Sequence, residues 1–83
     1  MSIVRRRRMI NGKIIANNIR AERNRVNLTQ ENVASQLNIT LRTYISYEND
    51  AKGIKATTIY ELAKLFGCSI SDFYLQNNFT NRE

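Results

Sequence analysis

The side chains of this sequence best suited to chemistry are its cations, and the chemistry they suit is holding phosphate and reading base edges. Arg42 carries a planar guanidinium whose paired N–H groups match O6 and N7 of guanine, a contact worth roughly 1–3 kcal/mol of discrimination; on an ordinary surface the same group is merely solvated. Around it stand Thr40, Leu41, Thr43, Ile45 and Ser46. Threonine hydroxyls hold phosphate oxygens, although capping a helix accounts equally well for Thr40. Ile45 is unusual at an outward position and suits a thymine methyl, a dimer mate or core packing. Lys52 and Lys55 follow in a loop, where they either clamp phosphate or sit solvated. Arg5, Arg6, Arg7 and Arg8 form a basic run near the N-terminus that either tracks a nucleic-acid groove or is a solvated leader.

Other chemistries lack their residues. There is no histidine and a single cysteine, Cys68, so no imidazole base and no Cys/His metal set can be assembled. Cys68 reads as a small packed hydrophobe. Neither a paired-carboxylate cluster nor a glycine-rich phosphate loop is present, so an enzyme is not expected, nor a metal, a cofactor or a small-molecule substrate. Thirteen Lys and Arg against seven Asp and Glu give a net charge of +6, which falls to +2 without Arg5–Arg8. That balance favours a polyanionic partner, with much of the charge in one arm. Apolar runs of only a few residues cannot cross a bilayer, and Met1–Val4 leads into arginines, so a soluble, cytoplasmic protein away from membranes is expected.

The elements that must position these groups are helical. Ile15, Ala16, Ile19 and Val26 recur at helical spacing after an Asn11-Gly12 turn signal and predict a helix at 13–25. Thr29 caps a second, at 30–37, through Gln30 and Glu31 and the stripe Val33, Ala34 and Leu37. Asn38 stands at a turn, Thr40 caps again, and a third helix covers 41–48 with Tyr44 and Tyr47 facing the core. Thr57 or Thr58 caps a fourth at 58–66, ended by Gly67, and Ser71-Asp72 opens a final amphipathic turn. Eighty-three residues hold one core, and so small a core makes dimerisation an expectation. The second and third helices, joined by a short turn, have the layout in which the second of the pair enters the DNA major groove.

Several segments in order, Ile19-Arg20-Ala21-Glu22-Arg23, Leu28-Thr29-Gln30-Glu31-Asn32-Val33-Ala34, Arg42-Thr43-Tyr44, Tyr47-Glu48-Asn49 and Leu62 to Ser69, give the chain a sequence that resembles the phage-repressor (lambda repressor and Cro, XRE-like) helix-turn-helix family over about residues 15–75. The resemblance implies an all-α, five-helix lambda-repressor-like DNA-binding domain at 13–78, between a basic arm at 1–12 and a short tail at 79–83. It implies binding of double-stranded operator DNA as a homodimer. It assigns Gln30 to a phosphate-and-base clamp, makes base reading the favoured role of Arg42, and places Arg23 and Glu48 as an internal ion pair. Asn27 and Asn38 replace the family's usual glycines, tolerable because asparagine visits the left-handed region; Asp50 and Ile54 replace a glycine and a proline and leave the path of the following loop open.

Phe73, Tyr74, Leu75 and Phe79 offer more apolar surface than one terminal helix needs and are the dimer-interface candidates, the alternative being that they close the domain's own core. Arg20 and Lys13 are weaker candidates for backbone contact. The reading is a transcriptional regulator, in the first place a repressor. Its rival is a protein-interaction module, antitoxin-like or antirepressor, on the same fold.

Overall fold

A computed structural model describes residues 11–75; the arginine run and Phe79 lie outside them. Four helices, α1 (Gly12–Arg25), α2 (Gln30–Leu37), α3 (Leu41–Asn49) and α4 (Ala56–Phe66), are followed by a 3₁₀ helix at Ile70–Tyr74. Among the described residues the fold is all-helical, as expected, but its fifth element is a 3₁₀ turn.

Local chemistry explains most of the boundaries. Thr29 and Asn32 form a reciprocal capping box at the start of α2, each side chain bonded to the other's backbone N–H at 3.0–3.1 Å. Thr40 caps α3 by accepting from Thr43 N at 3.1 Å. Asn27 (φ 61°), Asn38 (φ 59°) and Gly67 (φ 69°) follow α1, α2 and α4 in the left-handed conformation. Leu28, Ile39 and Cys68 N–H groups then reach back to Arg23, Ala34 and Ala63 carbonyls, satisfying otherwise orphaned acceptors.

Three boundaries differ from expectation. Asn11-Gly12 is the beginning of α1 and not a separate turn. Asn11 Oδ1 accepts from Lys13 N and Ile14 N, both at 3.0 Å. Gly12 is needed because its carbonyl takes the Ala51 N–H at 3.0 Å and a Cβ there would lie 2.5 Å from the Lys52 nitrogen. Helix α4 begins ahead of Thr57 and Thr58, with Lys55 as its N-cap and no side-chain cap bond. The last turn is capped by Ser69, paired reciprocally with Asp72, and not by Ser71. It stops after five residues with Leu75 extended, and Asn18, 8% exposed, donates to the Phe73 and Leu75 carbonyls at 2.7 and 2.8 Å.

One core unites these elements. Ile15, Ala16 and Ile19 of α1 meet Val33 and Ala34 of α2, Tyr44 of α3, and Ile59, Leu62, Ala63 and Phe66 of α4. Phe73 is fully buried, its ring edge-on to Phe66 with centroids 6.2 Å apart. This corrects its candidacy as an interface residue: Phe73 has no surface left to offer a second chain. Cys68 is packed against the same core.

Candidate nucleic-acid interface

Helix α3 has two chemically distinct faces. Tyr44 and Glu48 are buried and Tyr47 is half-buried against the core, whereas Leu41, Arg42, Ser46 and Asn49 are exposed. At 100° per residue, Arg42 and Asn49 are two turns apart on one line, with Ile45 and Ser46 between them. Ile45 is half-buried and is not among the hydrophobic residues that pack on the core, so it borders the outward face. Asn49 is the outward amide that sequence reasoning passed over; its seven-residue spacing from Arg42 was the available signal.

The polar groups of this surface divide into those already engaged and those not. Thr40 is engaged twice: its oxygen caps Thr43 N, and its hydroxyl donates to Thr43 Oγ1 at 3.0 Å. Thr43 keeps its own hydroxyl proton to give. Ser46 donates to the Thr43 carbonyl at 2.6 Å. Among the described residues the Arg42, Lys52 and Lys55 side chains have neither an ion pair nor a hydrogen bond, and all three residues are exposed. Lys55 precedes α4, and Lys52 lies in the loop that Gly12 contacts, its backbone N–H bonded to Asp50 Oδ1 at 3.1 Å.

Arg20 does not simply extend outward, because its Nη2 donates to the Glu48 carbonyl at 2.8 Å. Lys13 is exposed. Tyr74 and Leu75 remain 37% and 56% exposed and stay available for an interface, and Tyr60 and Ile70, which sequence reasoning did not single out, are similarly exposed.

Beneath the outward face lies a polar cluster centred on Glu48. The Arg23 guanidinium grips the carboxylate with both arms, Nε to Oε2 at 2.6 Å and Nη2 to Oε1 at 3.1 Å, while Nη1 donates to the Leu28 carbonyl at 2.9 Å. The Tyr44 hydroxyl donates to Oε2 and the Gln30 amide to Oε1 at 3.1 Å. One carboxylate therefore joins the C-terminal half of α1, the first residue of α2 and the last turn of α3. Sequence reasoning found the ion pair but neither the tyrosine nor the glutamine bond. It also missed Arg25, which donates to the Phe66 carbonyl at 2.7 Å and ties the end of α1 to the end of α4.

Burial pushes the Glu48 carboxyl up, but the hydrogen bonds from Arg23, Tyr44 and Gln30 outweigh it and hold the group below its ordinary value. Its contribution to stability is therefore full above the unfolded carboxyl's pKa of about 4.3 and is lost as pH falls through the lower folded-state value. Burial, followed by the Glu48 contact, raises the Tyr44 phenol, so the opposite limb lies in alkali. Stability is intact below the unfolded phenol's pKa of about 10 and declines as pH rises beyond it. Urea unfolding from pH 7 to 3 should show a falling midpoint below about pH 4.3. A midpoint unchanged across that interval would contradict the assigned ionisation.

No curated protein matches the sequence. The solved structure of Fe(II)-HppE with the alternative substrate (S)-1-HPP superposes with a TM-score of 0.73 at 23% identity, covering 78% of this chain and 34% of that one. The chain thus spans about a third of that protein, and the likeness is one of fold. No helix among the described residues is long and apolar enough to cross a membrane. The family model described as Helix-turn-helix matches residues 19–73, from the middle of α1 to the buried phenylalanine of the 3₁₀ turn, and takes in the whole α2–α3 unit. With its motif and all-helical fold in agreement with that match, the chain belongs to the XRE-like, Cro/C1-type helix-turn-helix family of DNA-binding regulators.

Proposed function

We propose that the protein is a sequence-specific transcriptional repressor that binds an operator as a symmetric dimer, placing α3 of each copy in one of two successive major grooves about 34–36 Å apart. The observation that carries this reading is the outward stripe of α3, where Arg42 is exposed and has no partner among the described residues, over a rigid Glu48-centred base. Arg42 reads a guanine. Leu41, Ile45 and Ser46 contact neighbouring base edges, Ile45 suiting a thymine methyl. Thr43, Lys52, Lys55 and the first residue of α2, Gln30, hold phosphates on either side. Gln30 and Glu31 are in the first turn of α2, where backbone N–H groups lack helical partners, which favours an anion. Tyr74 and Leu75 supply apolar surface for the dimer, and Arg5–Arg8 follow the DNA. Repression follows where the operator overlaps a promoter.

Arg42→Ala tests the reading. Binding to a site selected from random duplex DNA should weaken by about 1–3 kcal/mol, and binding to unrelated DNA far less. Equal losses on both would remove Arg42 from base reading.

A second reading, a protein-interaction module, is favoured by one observation. An open groove of about 540 Å³ lies between the end of α2 and α4, lined by Gln36, Leu37, Asn38, Glu61, Lys64 and Leu65. Salt separates the two, since each neutralised phosphate contributes a slope of about −0.9 to the log–log dependence of duplex affinity, whereas a protein partner seated in that groove imposes no such slope.

A further inference from the structure

Helix α3 ends in a concentration of negative charge. Unlike α1 and α4 it carries no basic residue in its last turn, and it is followed by Asp50, which is exposed and has no ion pair among the described residues. Unsatisfied carbonyls add about half a negative charge to any helix end of this kind. A nine-residue helix is about 13–14 Å long and the major groove about 12 Å wide, so a helix laid in that groove brings both of its ends near phosphate walls. The beginning of α3, with Arg42 in its first turn, suits such a wall. Its end, taken alone, is repelled by one.

The cation that this end lacks comes from α1. Arg20 Nη2 donates to the Glu48 carbonyl at 2.8 Å, and Nη1 donates to Asn17 Oδ1 at 3.4 Å. The Glu48 carboxylate does not use up this charge, because Arg23 already clamps both of its oxygens, whereas Arg20 Nε stands 3.9 Å from Oε1. The two guanidinium groups also differ in exposure: the Arg20 side chain is 46% exposed and that of Arg23 13%. Arg20 thus grips main chain at the end of α3 while its charge stays at the surface.

We infer that Arg20 is a positioning residue for DNA binding: by capping the Glu48 carbonyl it offsets the negative charge at the end of α3 and lets that end lie against a phosphate wall. An effect of this kind acts on the backbone of any duplex and carries no base information. The inference rests on the DNA-binding reading of α3.

The experiment measures binding of the wild-type chain and four variants to a selected operator and to an unrelated duplex, with urea unfolding as the control for folding. Arg20→Gln should weaken binding to both duplexes alike, by about fivefold. Arg20→Lys keeps the charge and should recover most of that affinity. Asp50→Asn removes a negative charge from the same end but keeps the oxygen that accepts from Lys52 N. It should tighten binding by about twofold on its own, and the double variant Arg20→Gln, Asp50→Asn should regain most of the loss. Recovery by removal of a distant carboxylate charge is an outcome that a merely structural role for Arg20 does not produce.

Wild-type affinity in Arg20→Gln, a loss confined to the operator, or a double variant as weak as Arg20→Gln would overturn the inference. Amide hydrogen exchange without DNA tests the cap separately. Arg20→Gln should speed exchange in the last turn of α3 by about threefold, first at the Asp50 N–H that bonds to the Ser46 carbonyl. Unchanged exchange there would also overturn the inference. Failure of the wild-type chain to select any duplex would instead count against the DNA-binding reading, whatever the exchange result.

Discussion

Replacing Glu48 by alanine should cost about 3–5 kcal/mol of folding stability, a large part of the roughly 5–12 kcal/mol expected for a domain of this size. The size of the effect follows from what is left behind. Arg23 has a side chain only 13% exposed and loses both carboxylate bonds, keeping the Leu28 carbonyl as its remaining partner. The Tyr44 hydroxyl, with its residue fully buried, and the Gln30 amide lose their acceptor at the same time. Most of the loss comes from the uncompensated guanidinium: burying the pair costs little net once its geometry is satisfied, whereas stranding one charge leaves desolvation unopposed. The double variant Arg23→Met, Glu48→Leu should therefore recover most of the stability. Urea unfolding at neutral pH measures all three proteins; a single-variant loss below about 1 kcal/mol would place the cluster in effectively wet surroundings.

The second large effect is expected at Phe73. Phe73→Ala should cost about 3–5 kcal/mol, because the ring is fully enclosed, stacks edge-on to Phe66 and fills space between α1 and α4. The loss belongs to the individual chain, so it should be independent of protein concentration. Leu75→Ala is the contrast. Leu75 is more than half exposed, so its truncation should scarcely alter the stability of the monomer while weakening self-association in a sedimentation series. A concentration-dependent defect in Phe73→Ala with an intact monomer would return Phe73 to the interface.

These two residues show where the sequence was legible and where it was not. The bounds of α2 and the start of α3 could be read because Thr29, Thr40 and Asn38 act on neighbours within a turn, and capping chemistry is local. The opposite held at Asn11-Gly12. That pair is a turn signal when taken alone, yet Gly12 is set by the approach of Asp50 and Lys52 nearly forty residues away. Phe73 suffered the same ambiguity: an aromatic near the end of a small chain suits a core or an interface equally until the docking of α4 is known. The 3₁₀ form of the last turn depends on Asn18 holding its carbonyls from across the core, a contact with a separation of 55 residues to Phe73.

The outward stripe of the candidate site emerged from helical periodicity alone, since Arg42, Ile45 and Ser46 fall away from the Tyr44 and Tyr47 side. Its foundation did not. Pairing Arg23 with Glu48 came from the family resemblance, and the Gln30 and Tyr44 bonds required α2 and α3 to be set at their actual angle. Electrostatics was only half legible for the same reason. The count of basic residues suggests a polyanionic partner, but coordinates are needed to separate Arg42, Lys52 and Lys55, which have no partners among the described residues, from Arg20, Arg23 and Arg25, which hold the fold together.

The central claim is that α3 lies in the major groove, and methylation protection of guanine N7 probes that groove most directly. Once a duplex has been selected, the bound protein should shield guanine N7 atoms in two clusters one helical turn apart, and Arg42→Ala should re-expose one guanine in each. Tight binding with every guanine N7 still reactive and protection confined to adenine N3 in the minor groove would contradict the account.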